Sequence, residues 1–178
     1  MEITIANQNW YTMYKKCLTL KGDNDNIKTT MITGSLWDET IEWLVKSGAT
    51  NSEGTTLTYQ LVGKDSTTWG NYSNATFKYI AQYSEKPEAT ENKEINKNIR
   101  ITTGSAEYTK ANNIYDMAGN VRDCTIEAYS TIYRVSRGSD YINDGYYYPA
   151  ANRYSGNPSN NGYSLRLSRS TLYQIKHS

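Results

Sequence analysis

Apolar residues near the start of the chain recur at helical spacing. Trp10, Met13, Tyr14 and Cys17 lie three and four residues apart, which predicts a helix over residues 7–20 with Asn7 or Asn9 as its cap. A second stripe is sharper: Trp37, Ile41, Leu44 and Val45 share one face, Ser35 and Asp38 form an S-x-x-D capping box, and Lys46 and Gly48 supply end signals. Both stripes are expected in the core. Trp37 and Trp43 are read as packing residues before groove residues, because aromatics at helical spacing are mostly buried.

From Ala49 to Ala111 the pattern changes to short alternation. Leu57, Tyr59 and Leu61 would share one face of a strand at Thr56–Val62, and Phe77, Tyr79, Ala81 and Tyr83 one face of a strand at Phe77–Tyr83. Ser84–Asn98, rich in Glu, Lys and Asn with Pro87 alone among prolines, offers little to anchor it and reads as a mobile surface loop. Sequons begin at Asn71 and Asn74. Glycosylation needs a secretory context, and Met1–Trp10 has no basic start followed by an apolar run, so these are read as products of composition.

Composition then bounds the class. Leu, Ile, Val and Phe number only 28 of 178 residues, but the net charge is +1, and 17 Tyr and 4 Trp add large buriable surfaces. Disorder requires high charge together with low hydrophobicity, so a folded, aromatic-rich domain is expected, and the length suits a single domain over 1–178. With 19 basic and 18 acidic residues there is no global field to attract phosphate backbones or an anionic membrane, so nucleic acid is disfavoured and no nucleic-acid partner is expected. No apolar run approaches the roughly 18–20 residues that span a bilayer, so no membrane insertion is expected. A lone His177 removes histidine triads and His-rich zinc sites. Cys17 and Cys124 match no CxxC pattern and read as two buried free thiols.

The last third carries the strongest signal. Asn113-Ile-Tyr-Asp-Met-Ala-Gly-Asn-Val-Arg-Asp123 precedes Arg134-Val-Ser-Arg-Gly-Ser-Asp-Tyr141, then Arg153, Pro158 and Arg166. This succession resembles the formylglycine-generating-enzyme (sulfatase-modifying factor) family over roughly residues 110–170. The resemblance implies an α+β, C-type-lectin-like fold with two helices, a twisted antiparallel sheet and much irregular structure. The strands that family members place before the first helix have no counterpart here, which suggests a shortened version.

Departures from the family pattern decide the chemistry. Arg122, Asp123 and Cys124 stand for its W-E-W, Arg137, Gly138, Ser139 and Asp140 for its R-G-G-S, and Ser164, Leu165 and Arg166 for its G-F-R. The family's two working cysteines align with Asn143 and Tyr148, neither of which can form a thiolate. The resemblance also implies a calcium site from Asp116, Gly119, Val121 and Asp123, two carboxylates with backbone carbonyls. The alternative is that Asp116 caps a turn and Asp123 is solvated.

Tyr141–Tyr163 holds six Tyr and five Asn among 23 residues. Tyr gives rigid amphipathic contact area while Asn, Ser and Gly adapt their hydrogen bonds, as in antibody paratopes. Side chains of an extended Tyr146-Tyr147-Tyr148 alternate, so at least one must face outward; the alternative is Tyr as ordinary core filler. The segment also resembles the ligand-binding end of the family's variable proteins from diversity-generating retroelements. The leading expectation is a non-catalytic receptor-binding or display protein of a phage or bacterial surface. It would present Tyr141, Asn143, Asp144, Tyr146, Tyr148, Asn152 and Tyr154 to a protein or glycan ligand. An enzyme with relocated chemistry and a structural tail or surface module are the competing expectations.

Overall fold

Capping chemistry places the helices. In the computed structural model, which describes residues 8–20, 23, 27–81, 90–159, 168–170 and 172–176, Asn9 is extended and its side chain accepts from Thr12 N at 2.9 Å. That bond starts α1 (Trp10–Thr19), whose buried face is Trp10, Met13 and Cys17. Asn7 lies outside the described residues. After β1 (Ile27–Met31) comes α2 (Gly34–Lys46). Its cap is Thr33 and not the expected Ser35: Thr33 Oγ1 accepts from Leu36 N at 3.0 Å, and Asp38 pairs with Arg137 instead of closing a capping box. Trp37, Ile41 and Leu44 are buried as the stripe requires, but Trp43 is half exposed and does not belong to the core.

The strand expected at Thr56–Val62 is a helix. Thr58 is extended and its hydroxyl accepts from Leu61 N at 3.3 Å, which starts α3 (Tyr59–Gly63). A threonine that caps locally outweighs three alternating apolar residues. Leu57 is buried ahead of the helix, Val62 is buried within it, and Tyr59 faces solvent.

β2 (Phe77–Ile80) alternates buried and exposed as expected, and Tyr83 lies outside the described residues. It pairs antiparallel with β3 (Thr90–Lys93), Phe77 opposite Lys93. The expectation of an unanchored loop over 84–98 is therefore corrected in its second half, where Lys93 is fully buried; residues 84–89 are outside the description. β4 (Lys110–Ala111) and β5 (Ile114–Tyr115) form a hairpin. β6 (Arg122–Ala128), β7 (Arg134–Arg137), β8 (Arg153–Gly156) and β9 (Ser168–Ser170) make a sheet of order β8-β7-β6-β9, and β10 (Leu172–Lys176) pairs with β1. Among the described residues the fold is thus α+β, with three α-helices and small sheets. β6 and β9 run parallel, so the four-stranded sheet departs from the wholly antiparallel expectation.

The chain gathers into two compact units, each assembled from separated stretches. One contains Glu39–Val121 and Gly138–Asn152, and the other the described residues up to Asp38, Arg122–Arg137 and those from Arg153 onward. The first buries Leu44, Leu57, Val62, Trp69, Tyr72 and Val121. In the second, Trp10, Met13, Cys17, Met31 and Cys124 form one cluster, and the Trp10 indole N–H donates to Thr125 O at 2.7 Å. Both cysteines are free and buried, as expected from the sequence. Among the described residues no helix is long and apolar enough to cross a membrane.

Candidate ligand-binding face

The Asn113–Val121 run owes its spacing to backbone conformation. Asn113, Asp116, Gly119 and Asn120 all have positive φ, between 59° and 68°. Asn and Asp tolerate this region better than other side chains do, and glycine tolerates it best. At Gly119 a Cβ would strike the Asn71 carbonyl, so the position needs glycine for space as well. Asn120, fully buried, is the hub of this unit. Its Oδ1 accepts from Ile101 N and Asn71 Nδ2, both at 3.1 Å, and its Nδ2 donates to Ile101 O at 3.0 Å and Asp116 Oδ2 at 3.3 Å. Its carbonyl accepts from Tyr141 N at 3.1 Å. The segment predicted to bind ligand therefore hangs from this motif.

From Tyr141 the chain makes successive turns instead of a strand, each pinned to the platform Val62–Asn74. Ser73 N and Oγ both donate to Asn143 O, at 2.8 and 3.0 Å. Gly145 N donates to Asn74 Oδ1 at 3.1 Å, and Gly145 O accepts from Ser66 N at 3.0 Å. Gly145 sits so close that a Cβ would meet the Thr67 backbone at 2.8 Å. Further on, Ala150 N donates to Ser66 Oγ and Ala151 N to Val62 O, both at 2.9 Å. With the backbone held in this way, Ile142, Tyr146, Tyr147 and Tyr148 stand 51 %, 59 %, 73 % and 41 % exposed. Tyr146 and Tyr147 meet edge to face at 5.1 Å between ring centroids, a favoured aromatic geometry.

The sequence-predicted residues divide by role. Tyr146 and Tyr148 belong to this exposed set. Asp144 is half-buried and builds the turn, its Oδ1 accepting from Tyr146 N at 2.7 Å and its carbonyl from Tyr148 N at 3.0 Å. Asn143 is also half-buried, with Nδ2 donating to Ser139 Oγ at 3.3 Å. Asn152 accepts on its carbonyl from Gly138 N at 3.0 Å. Tyr141 is half-buried, and Tyr154 lies on β8 in the other unit, its ring under the Arg122 guanidinium at 4.4 Å. Residues 160–163 lie outside the description. Sequence reasoning missed Ile142 and Tyr147. The tyrosine triplet contained the signal for Tyr147, which alternation along an extended strand would have turned the opposite way from its neighbours.

Several of the remaining polar side chains make internal hydrogen bonds. A cleft of about 330 Å³ opens between Thr50–Ser52 and Glu107–Asn113. Asn51 there accepts from Glu53 N and Thr55 N and donates to Thr68 O. Glu107 takes hydrogen bonds from Lys110 and Tyr115, which hold its carboxyl below the ordinary range, the lysine contributing most. The sequon asparagines are engaged too: Asn71 is buried, and the Asn74 amide donates to Thr67 Oγ1 at 3.0 Å. Of the implied calcium ligands, Asp116, Gly119 and Val121 belong to the first unit, with Asp116 Oδ2 accepting from Asn120. Asp123 belongs to the second, on β6 opposite Arg137. Among the described residues no group of three or more His, Cys, Asp or Glu side chains gathers, which leaves open a site of two carboxylates with backbone carbonyls.

Comparison with protein-family models and with curated proteins returns no match.

Proposed function

We propose that this is a non-catalytic ligand-binding protein, of receptor-binding or display type, whose contact face is Ile142, Tyr146, Tyr147 and Tyr148. The observation that carries the reading is that three successive tyrosines are exposed on a backbone fixed at Asn143, Gly145, Ala150 and Ala151. Exposed aromatics on a mobile loop would lose conformational entropy on binding; here much of that loss has been met by folding. Tyrosine also suits both candidate partners, a protein surface or a glycan. Its ring covers apolar area or a sugar face while the phenol hydrogen-bonds. The resemblance to the formylglycine-generating-enzyme family supports the same reading. Asn143 and Tyr148 stand where those enzymes carry thiols, and the family's retroelement-diversified variable proteins bind ligand through this end of the chain. A phage or bacterial surface would be the setting, with a cell-surface protein or glycan as partner.

The test is a binding screen of the purified chain against a glycan array and an array of bacterial surface proteins, run beside the joint variant Tyr146→Ser, Tyr147→Ser, Tyr148→Ser. A specific signal that the variant loses is expected. A signal of equal strength from the variant would move the face elsewhere, and turnover of a cysteine-containing sulfatase peptide by the wild type would overturn the non-catalytic reading.

A further inference from the structure

Lys93 is buried, at 1 % exposure. Its ammonium donates to the carbonyls of Tyr72 at 2.5 Å, Ala75 at 2.7 Å and Ser73 at 3.0 Å. An ammonium has three donors, so all are spent on backbone and none on a carboxylate. Burying a charge without an opposite charge costs stability that hydrogen bonds to neutral carbonyls only partly offset. Two of the three carbonyls have backbone donors as well, Ala75 N to Tyr72 O and Asn96 N to Ser73 O. The lysine is therefore a poor device for stability alone. What it encloses is the turn that grips the tyrosine segment: Ser73 holds Asn143 O through two hydrogen bonds, and Asn74 Oδ1 holds Gly145 N.

We propose that Lys93 is a positioning residue for the tyrosine-bearing segment: by drawing the carbonyls of Tyr72, Ser73 and Ala75 around its ammonium, it fixes the turn that holds Asn143 and Gly145. The functional part of this inference rests on Tyr146–Tyr148 being the contact face; the grip on Asn143 and Gly145 is measurable independently.

Charge gives the device a pH signature. Burial draws the Lys93 ammonium from the free value of 10.5 down to about 8, opposed by the field of Glu94, the residue after β3. Across the strand pair it faces Phe77, which does not titrate. On the turn, Tyr72 keeps its phenol protonated, chiefly through burial, with Asp140 and Asp65 adding to the effect. Between about 8 and 10.5 the native chain releases a proton that the unfolded chain retains, so this group's contribution to global stability rises with pH across that window. The local grip moves in the opposite sense, because a neutral amine has two N–H donors and a lone pair to set against three carbonyls.

The experiment is site-resolved amide hydrogen exchange on the full chain, corrected for intrinsic pH dependence. At pH 7, Lys93→Met should speed exchange at Ser73 and Gly145 at least tenfold and leave the amides of α2 within twofold. In the wild type the same two amides should lose protection as pH rises through about 8, a step the variant lacks. Unchanged exchange at Ser73 and Gly145 would overturn the proposal, and so would loosening in step with α2, which would make Lys93 merely structural. Should the variant not fold, the wild-type pH profile decides alone. Tyrosine substitutions that leave ligand binding intact would defeat the contact-face reading without touching this result.

Discussion

Replacing Asn120 with Ala should be the most damaging single polar substitution in the tyrosine-bearing unit. The side chain pairs with both backbone groups of Ile101, which is itself buried, so alanine strands an N–H and a C=O away from water. Each stranded group costs about 1–3 kcal/mol. The backbone at φ 60° adds a second penalty, since a left-handed conformation costs an ordinary L-residue roughly 1–2 kcal/mol. At the lower ends of these ranges the loss is still about 3 kcal/mol, a large fraction of the roughly 5–15 kcal/mol that stabilises a typical domain. Asn120→Gly separates the two terms: it relieves the backbone and keeps the stranded groups, so it should recover about 1 kcal/mol. Urea denaturation of the three proteins, compared at constant slope, measures both differences. A loss below about 1 kcal/mol for Asn120→Ala, or no difference between Ala and Gly, would refute the assignment of Asn120 as hub.

Two further outcomes follow from burial and ligand chemistry. Trp37→Ala should cost about 3–5 kcal/mol, whereas Trp43→Ala, at a half-exposed site, should cost under about 1 kcal/mol; thermal melts giving equal losses would contradict the core described for α2. If Asp116 helps bind calcium, the ion at a hundredfold its dissociation constant should add about 2.7 kcal/mol of stability, and Asp116→Asn should abolish the rise in Tm. A wild-type Tm indifferent to millimolar calcium and to chelator withdraws that site.

How far the sequence could be read depended on whether the deciding interaction was local. α1 and the stripe of α2 were legible because Asn9, Trp10, Met13, Cys17, Trp37, Ile41 and Leu44 act within one or two turns. Ser35 was a plausible cap, but Thr33 Oγ1 accepts from Leu36 N three residues on, as a cap does, and the helix starts two residues earlier than Ser35 would start it. Alternation at Leu57, Tyr59 and Leu61 pointed to a strand, yet the hydroxyl of Thr58, sitting between them, starts a helix. Lys93 looked like part of a solvated charged stretch because its three acceptors lie 18 to 21 residues away. At the site, composition located the tyrosines and asparagines but could not assign their roles. Asn143, Asp144 and Asn152 serve the turns, through partners such as Ser73 that are 70 residues distant, while Ile142 and the tyrosine triplet are exposed.

A contact face of exposed tyrosines should be able to change without cost to the scaffold that carries it. Stability and ligand affinity should therefore be measured together on the Tyr146→Ser, Tyr147→Ser, Tyr148→Ser variant. Stability should change by no more than about 0.5 kcal/mol per site, with binding weakened by at least about 1 kcal/mol for each tyrosine that acts as a hot spot. A variant that unfolds, or one that folds and binds as tightly as the wild type, would contradict the contact-face reading.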